Sequence, residues 1–289
     1  MKVDNAIIMA AGTSSRFAPL SYEKPKALIN VKGEILIERQ IKQLHEAGIS
    51  DVYIITGYMA DKFEYLTKKH GVRIIHNPYY LTRNNNASIW MARDVIKNTY
   101  ICSADNYFSI NPFEKEVDEA YYAGVFANGH TEEWCMKVDS QGYIYSVEIG
   151  GENAWFMLGH TFWSEEFSRK FLKILEQEYE FPDTYGKLWE KIFIKHLDTL
   201  KMKIRKYADN EIYEFDTLDE LREFDDSYKN DSRSLILKRI ANSLHTTEGE
   251  IRNLKTVKGN DTSAIGFDFT VDDSLYRYIY AKESYELIK

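Results

Sequence analysis

Between residues 6 and 104, short apolar runs alternate with segments of helical periodicity, and that alternation leaves very few folds open. Ala6-Ile7-Ile8-Met9 is an unbroken apolar run, as a strand buried on both faces requires. Ile37, Ile41 and Leu44 then recur at helical spacing, and the pattern stops at Gly48 as a helix C-terminus would. Asp51 to Thr56 reads as a second strand, Phe63 and Leu66 mark a helix closed by Gly71, and Val72 to His76 gives a third strand. The order βαβαβ implies a doubly wound, mostly parallel (Rossmann-like) α/β sheet, because parallel strands need crossovers long enough to hold a helix. Ligands of such sheets collect beyond the carboxyl ends of the strands, where the residues after Met9, Gly57-Tyr58 and the segment after His76 fall.

The residues after the first strand are small. Ala10, Ala11, Gly12, Thr13, Ser14 and Ser15 allow backbone N–H groups to approach phosphate oxygens without side chains intervening. Arg16, and Lys26 held between Pro25 and Ala27, add positive charge. A small-residue turn alone is common in any tight β-to-α connection. Strand, loop, arginine and Pro-Lys together point to a grip on a nucleoside triphosphate. The loop is not a Walker A motif, since no Gly-Lys-Ser/Thr follows, and it lacks the second and third glycines of a dinucleotide fingerprint.

Farther along, Asn84-Asn85-Asn86 precedes a helical pattern through Ile89, Trp90 and Val95, with Asn86 suited to the N-cap. Thr99 to Ala104 is the next buried strand, and it ends in Asp105-Asn106-Tyr107. A carboxylate at a strand end beside a phosphate loop suits Mg²⁺, which takes one or two carboxylates plus phosphate oxygens and water. Asp105 is therefore a metal-ligand candidate, with a plain turn residue as the alternative. After Ala123 the chain changes to alternating, aromatic-rich segments with a good hairpin turn at Asp139 to Gly142, which predicts antiparallel strands extending the sheet. Helices are predicted over Glu165 to Tyr179 and Gly186 to His196. Ile212 to Phe215 then reads as a strand leading to Asp216, just before a helix from Leu218; the residues alone favour Asp216 as that helix's N-cap. His45, His76 and His196 belong to no metal or nucleophile pattern and read as packing or solvated residues.

The Asp-rich stretch from Asp225 to Asp231 marks a boundary, followed by a helix over Asp231 to Leu244 and two or three strands with a turn at Asp272-Asp273. The net charge of −8, with no basic stripe along any segment, argues against polynucleotide partners. Cys102 and Cys135 lie in strand-like segments without metal-ligand spacing and read as core thiols. No signal peptide precedes the first strand and no apolar run is long enough for membrane insertion, so a cytoplasmic protein is expected.

The loop resembles the signature of the nucleotidyltransferases that join a nucleoside triphosphate to a small phosphorylated molecule. That family writes G-x-G-[ST]-R; here Gly12, Ser15 and Arg16 match and Ser14 stands where the second glycine is expected. Over the first ~230 residues the chain is similar to one branch, the bacterial CTP:phosphocholine cytidylyltransferases, through AAGTSSRFAPL, KPKAL, ITGY, the Asn-rich turn with Ser88, SADNYF, HTEEW, GHTFWSEE, GKLWEKI and IYEFDTLDEL. The resemblance implies conversion of CTP and phosphocholine to CDP-choline and pyrophosphate, with Mg²⁺ on Asp105 and Asp216. Arg16 would sit on the outgoing pyrophosphate and Lys26 would bridge the reacting phosphates. It also implies that Asn86 and Ser88 lie beside the base, against the alternative that they only start a helix.

A trimethylammonium group cannot donate N–H hydrogen bonds and is best held by aromatic faces and nearby carboxylates. Trp134 and Trp189 come first as acceptor-binding residues, then Trp163, with Tyr185 and Glu133 nearby in sequence and Trp155 last; core packing is the competing reading for each tryptophan. The resemblance divides the chain into a nucleotidyltransferase domain over residues 1–229, with a nucleotide half of about 1–122 and an acceptor half of about 123–229, and a small α+β appendage over 230–289. That appendage resembles the opening lobe of choline-kinase-like phosphotransferases, including a glycine-and-threonine turn in its first hairpin, and leaves room for a kinase partner domain or a homo-oligomer. Two rivals stand beside this reading: a sugar-1-phosphate nucleotidyltransferase, and a non-catalytic nucleotide-sensing or scaffold protein.

Overall fold

The computed structural model describes residues 1–260 and 263–289. The chain forms two compact units interleaved in sequence: Met1–Gly12 with Leu36–Glu214, and Thr13–Ile35 with Phe215–Lys289. These units are not the sequence segments 1–229 and 230–289.

In the larger unit, β1 (Asn5–Ala10), β2 (Val52–Thr56), β3 (Arg73–His76) and β4 (Thr99–Ser103) run parallel in the order β3-β2-β1-β4. Ile8 pairs with Ile54 on one side and Cys102 on the other, and all three are fully buried, which is why the sequence shows continuous apolar runs here. Helix α1 (Leu36–Glu46) buries Ile37, Ile41 and Leu44, and Gly48, at φ +81°, ends the segment. Helix α2 (Tyr65–His70) ends at Gly71, at φ +71°. Helix α3 (Asn86–Ala92) is shorter than its periodicity predicts, so Val95 lies beyond it.

The aromatic segments form a short strand β5 (Asn106–Phe108) and two long ones, β6 (Tyr121–Val138) and β7 (Ile144–Trp163), joined by the expected turn at Asp139 to Gly142. Strand β7 lies antiparallel to both β4 and β6. Helices α4 (Glu165–Glu178) and α5 (Trp189–Lys195) follow; the latter starts later than the predicted Gly186 because Pro182–Tyr185 forms a separate single turn. Strand β8 (Lys203–Tyr207) completes the sheet order β8-β6-β7-β4-β1-β2-β3, and β9 (Ile212–Glu214) pairs with β5 in a separate ribbon. The core of this unit joins Ile7 and Ile101 of the parallel strands to Trp163, Phe171, Trp189 and Phe193.

The smaller unit brings the loop segment 13–35 together with the C-terminal residues. Segment 13–35 has only short turns at Ser15–Phe17, Leu20–Glu23 and Lys26–Leu28 and a small hairpin. Helices α6 (Leu218–Phe224) and α7 (Leu235–Leu244) precede an antiparallel sheet of β10 (Arg252–Lys258), β11 (Ala264–Val271), β12 (Ser274–Ile279) and β13 (Ser284–Leu287). Helix α7 starts at Leu235 rather than Asp231 because Ser234 caps it, its side chain accepting from the Leu237 N–H. The turn at Asp272-Asp273 is present, joining the paired Val271 and Ser274. The glycine-and-threonine turn of the first hairpin includes Asp261 and Thr262, which lie outside the described residues. Buried Arg222 fastens α6 to the tail by donating to the carbonyls of Glu248 (2.6 Å) and Ile251 (2.7 Å). Among the described residues no helix is long and apolar enough to cross a membrane.

Candidate functional site

In the larger unit, β1 hands over to Ala10, Ala11 and Gly12 at its carboxyl end. The Ala11 carbonyl accepts from the Tyr58 N–H (3.0 Å), joining the turns after β1 and β2. This approach requires glycine at position 57, where a Cβ would stand 2.7 Å from the Tyr80 side chain and 2.9 Å from the Ala11 carbonyl oxygen. At Gly12 a Cβ would meet nothing within 4 Å, so the loop backbone borders open space there.

Asp105 occupies the turn between β4 and β5. Gln40, buried on α1, donates from one amide nitrogen to the carbonyls of Ser103 (2.9 Å) and Asn106 (2.8 Å), bracketing the aspartate on both sides. Asn106 in turn donates to the Glu214 carboxylate (3.2 Å). Neither Gln40 nor Glu214 was among the sequence candidates. The signal for Gln40 was a polar residue on the apolar face of α1, between Ile37 and Ile41.

The Asn-rich turn has a different role from the expected cap. Asn85, not Asn86, holds the N-cap position of α3, with no side-chain capping bond. Asn86 lies fully buried inside the first turn, and its amide donates to the carbonyls of Thr184 (2.9 Å) and Lys187 (2.5 Å). Asn85 accepts from the Trp189 N–H (2.7 Å) and donates to the Glu190 carboxylate (3.1 Å). Ser88 is buried and accepts from Asn77 (3.2 Å). The turn is thus stapled to residues 184–190, which carry several of the acceptor candidates.

Those candidates separate by burial. Trp163 and Trp189 are packed in the core, 5.1 Å apart by ring centroids and surrounded by Phe167, Phe171 and Phe193. Both rings are buried, Trp163 packed against Phe171 of α4 and against Trp189, and Trp189, the first residue of α5, packed against the same phenylalanine. Trp134 on β6 is half-buried, and Glu133 and Tyr185 are exposed. The Tyr185 ring carries the Arg83 guanidinium 3.9 Å from its centroid, and the same guanidinium lies 3.8 Å from the Tyr179 ring. Trp155 is half-buried, with the Lys206 ammonium 4.7 Å from its ring. Glu190 emerges as an additional acidic group in this region, reached by Asn85 and by the Tyr122 hydroxyl (3.4 Å); burial pushes its carboxyl up to about 7.

The smaller unit gathers the charged residues expected around the phosphates. Ser14, standing where the resembled signature has glycine, adopts the left-handed conformation at φ +47°, ψ +42°, so the backbone keeps a glycine-like turn with a serine in it. The following turn presents Arg16, whose guanidinium lies 2.6 Å from the Asp216 carboxylate. Lys26 is buried; its ammonium stands 3.9 Å from the same carboxylate and 5.6 Å from the centre of the Phe17 ring. The capping reading of Asp216 is corrected: Thr217 caps α6, its side chain accepting from the Glu220 N–H, while the Asp216 N–H donates to the Glu220 carboxylate. The Asp216 carboxylate faces both cations, Arg16 and Lys26.

Residues 6–108 match the MobA-like NTP transferase domain family. The chain is 31% identical to the choline-phosphate cytidylyltransferase of Streptococcus pneumoniae over 78% of its own length and 99% of that protein. It is 32% identical to the 2-aminoethylphosphonate cytidylyltransferase of Lancefieldella rimae, over 78% of this chain and 93% of that one. The solved structure of the CTP:phosphocholine cytidylyltransferase from Streptococcus pneumoniae superposes with a TM-score of 0.75 at 30% identity, covering 79% of this chain and all of that one. An α/β sheet with an antiparallel extension, a small-residue loop ending in arginine, and similarity of this extent place the chain in the nucleotidyltransferase family that includes the choline-phosphate cytidylyltransferases.

Proposed function

We propose that the protein transfers a cytidylyl group from CTP to phosphocholine, giving CDP-choline and pyrophosphate. The observation that carries this reading, beside the family, is the convergence of Arg16 and Lys26 on Asp216 at 2.6 and 3.9 Å. A phosphocholine oxygen attacks the α-phosphorus of CTP while the bond to the bridging oxygen of pyrophosphate breaks, its electron pair leaving with the pyrophosphate. A phosphate monoester has a second pKa of about 6 and is largely ionised near neutrality, so the nucleophile needs no general base. The residues align and neutralise charge: Arg16 meets the outgoing pyrophosphate and Lys26 the oxygens of the reacting phosphates.

The carboxylates of Asp105 and Asp216 are the hard oxygen donors that Mg²⁺ prefers, and we assign them as its ligands. When bound, the ion would neutralise charge on the triphosphate. Gln40 supports this role by fixing the backbone on both sides of Asp105. Trp134 is assigned to the trimethylammonium group, with Glu133 and Tyr185 in the same half. We place the reaction in the cytoplasm and leave a homo-oligomer or kinase partner as part of the proposal.

A second acceptor is supported by the 2-aminoethylphosphonate cytidylyltransferase relative and by the burial of Trp163 and Trp189, which leaves fewer aromatic faces to select a quaternary ammonium. The test is pyrophosphate release with Mg²⁺, each nucleoside triphosphate in turn, and phosphocholine, 2-aminoethylphosphonate or glucose-1-phosphate as acceptor. CTP with phosphocholine is expected to give the highest kcat/KM. Preference for the phosphonate would move the assignment to that acceptor, and turnover with the sugar phosphate alone would overturn both.

A further inference from the structure

The phosphate-loop segment 13–35 belongs to the same compact unit as the C-terminal sheet, and its contacts there are specific. The Thr256 hydroxyl on β10 donates to the carbonyl of Ser15, immediately before Arg16. Tyr22 and Tyr280 stack face to face, 3.8 Å between centroids and 3° between planes. The Glu23 carboxylate accepts from the N–H groups of Leu235 (2.9 Å) and Ile236 (3.2 Å) at the start of α7. Farther along, the Asn30 carbonyl accepts from the Tyr228 hydroxyl (2.5 Å) and from Arg233 (3.0 Å), and the Lys32 N–H donates to Asp225 (2.7 Å).

We propose that the C-terminal sheet is a positioning element for the catalytic loop, with Thr256 as the residue that orients the Ser15–Arg16 peptide. The loop's short turns supply few backbone bonds of their own, and segments of that kind open most readily. A peptide group is planar and trans, so fixing the Ser15 carbonyl also fixes the direction of the Arg16 N–H on its other side. The stacked tyrosines and the Glu23 contacts hold the next turn of the loop. The alignment with the pneumococcal relative covers 99% of that protein and 78% of this chain. The inference rests on the proposed cytidylyl transfer only for its kinetic readout.

The test uses the full chain with Thr256→Val, which removes the donor at nearly constant volume, and Thr256→Ser, which keeps it. Two measurements are made: kcat and KM for CTP at saturating phosphocholine, and amide hydrogen exchange across residues 13–28. Thr256→Val is expected to lower kcat/KM for CTP about 5-fold, the scale of one lost hydrogen bond, while the KM for the acceptor stays put. Exchange should rise over residues 13–28 and not in β1 or β2. Thr256→Ser should behave like the parent protein. Tyr280→Leu, which removes the stack on Tyr22, should give the same exchange signature, and it serves as the test if Thr256→Val does not fold. Unchanged exchange over 13–28 in Thr256→Val, or in Tyr280→Leu where that variant stands in, would overturn the proposal, as would failure of the serine variant to restore it. Absence of turnover in the parent protein would refute the proposed activity and leave the exchange result to decide the positioning role.

Discussion

The guanidinium of Arg16 lies 2.6 Å from the carboxylate of Asp216, joining the loop after the first strand to the residue just before α6. Arg16 is 73% exposed and Asp216 34% exposed, so the pair is worth about 0–1 kcal/mol. An interaction that weak orients the two groups and still lets them exchange partners with a triphosphate and a cation. Arg16→Ala and Asp216→Asn are therefore each expected to leave the melting temperature within a few degrees of the parent while reducing kcat about 10²-fold or more. Thermal unfolding and pyrophosphate release check the two halves of this statement. A large loss of stability with kcat retained would make the pair structural.

Lys26 differs from Arg16 in being buried, with its ammonium between Asp216 and the Phe17 ring. A lysine in that position is held in one place, which suits a group that must meet the reacting phosphates. Lys26→Met keeps most of the packing volume and removes the charge. It is expected to lower kcat about 10²- to 10³-fold with the circular dichroism spectrum unchanged. Turnover near the parent level would remove Lys26 from the mechanism.

Ser14 holds a left-handed backbone at φ +47°, a conformation that costs a non-glycine residue about 1–2 kcal/mol. Glycine would relieve this but would give the unfolded chain about 0.5–1 kcal/mol more entropy to lose. The difference predicts that Ser14→Gly stabilises the protein by about 0–1.5 kcal/mol in denaturant unfolding, with the KM for CTP no higher than before. A loss of more than 1 kcal/mol would show that the serine hydroxyl is needed there.

Much of the fold was legible because its signals are local. The runs at Ile7, Ile54 and Ile101 are continuous because those strands are covered on both faces, and Gly48 and Gly71 end their helices through positive φ. Arg16, Lys26 and Asp216 were singled out in the sequence, and the structure places both cations within 4 Å of the Asp216 carboxylate, although from the residues alone Asp216 read as a cap. Two things were hidden. The interleaving of residues 13–35 with the C-terminal sheet depends on long-range contacts such as Thr256 with Ser15, which leave no periodicity. The fate of each tryptophan depends on long-range packing: Trp163 and Trp189 are buried against each other and Phe171 of α4, while Trp134 on the long β6–β7 hairpin stays half-buried.

That difference separates the tryptophans experimentally. Trp163→Ala removes a buried ring packed against Phe167, Phe171 and Trp189, and should cost about 3–5 kcal/mol of stability. Trp134→Ala should cost far less and instead raise the KM for phosphocholine, because a lost cation–π contact weakens the acceptor by about 0.5–2 kcal/mol, or roughly 2- to 30-fold. Urea unfolding and acceptor KM values are the measurements. An unchanged acceptor KM in Trp134→Ala would place the ammonium elsewhere.

Glu190 gives the protein a distinctive pH dependence. Its carboxyl is raised by burial to about 7 from an ordinary 4.5. Between those values the folded protein holds a proton that the unfolded chain has released, so this group lowers stability progressively as pH rises through the window, and the loss is complete above about 7. The full effect is at most about 3.5 kcal/mol. Glu190→Gln removes the titration while keeping acceptors and donors near Asn85 and the Tyr122 hydroxyl. Measured by urea unfolding, the variant should match the parent near pH 4.5 and exceed it by a growing margin up to pH 7.5. Carboxylates with lowered values, such as Glu38 and Glu178, act with the opposite slope but are common to both proteins and cancel in the difference. A pH-independent difference between the two would mean that Glu190 is ionised throughout, as a carboxylate paired with a fixed cation would be.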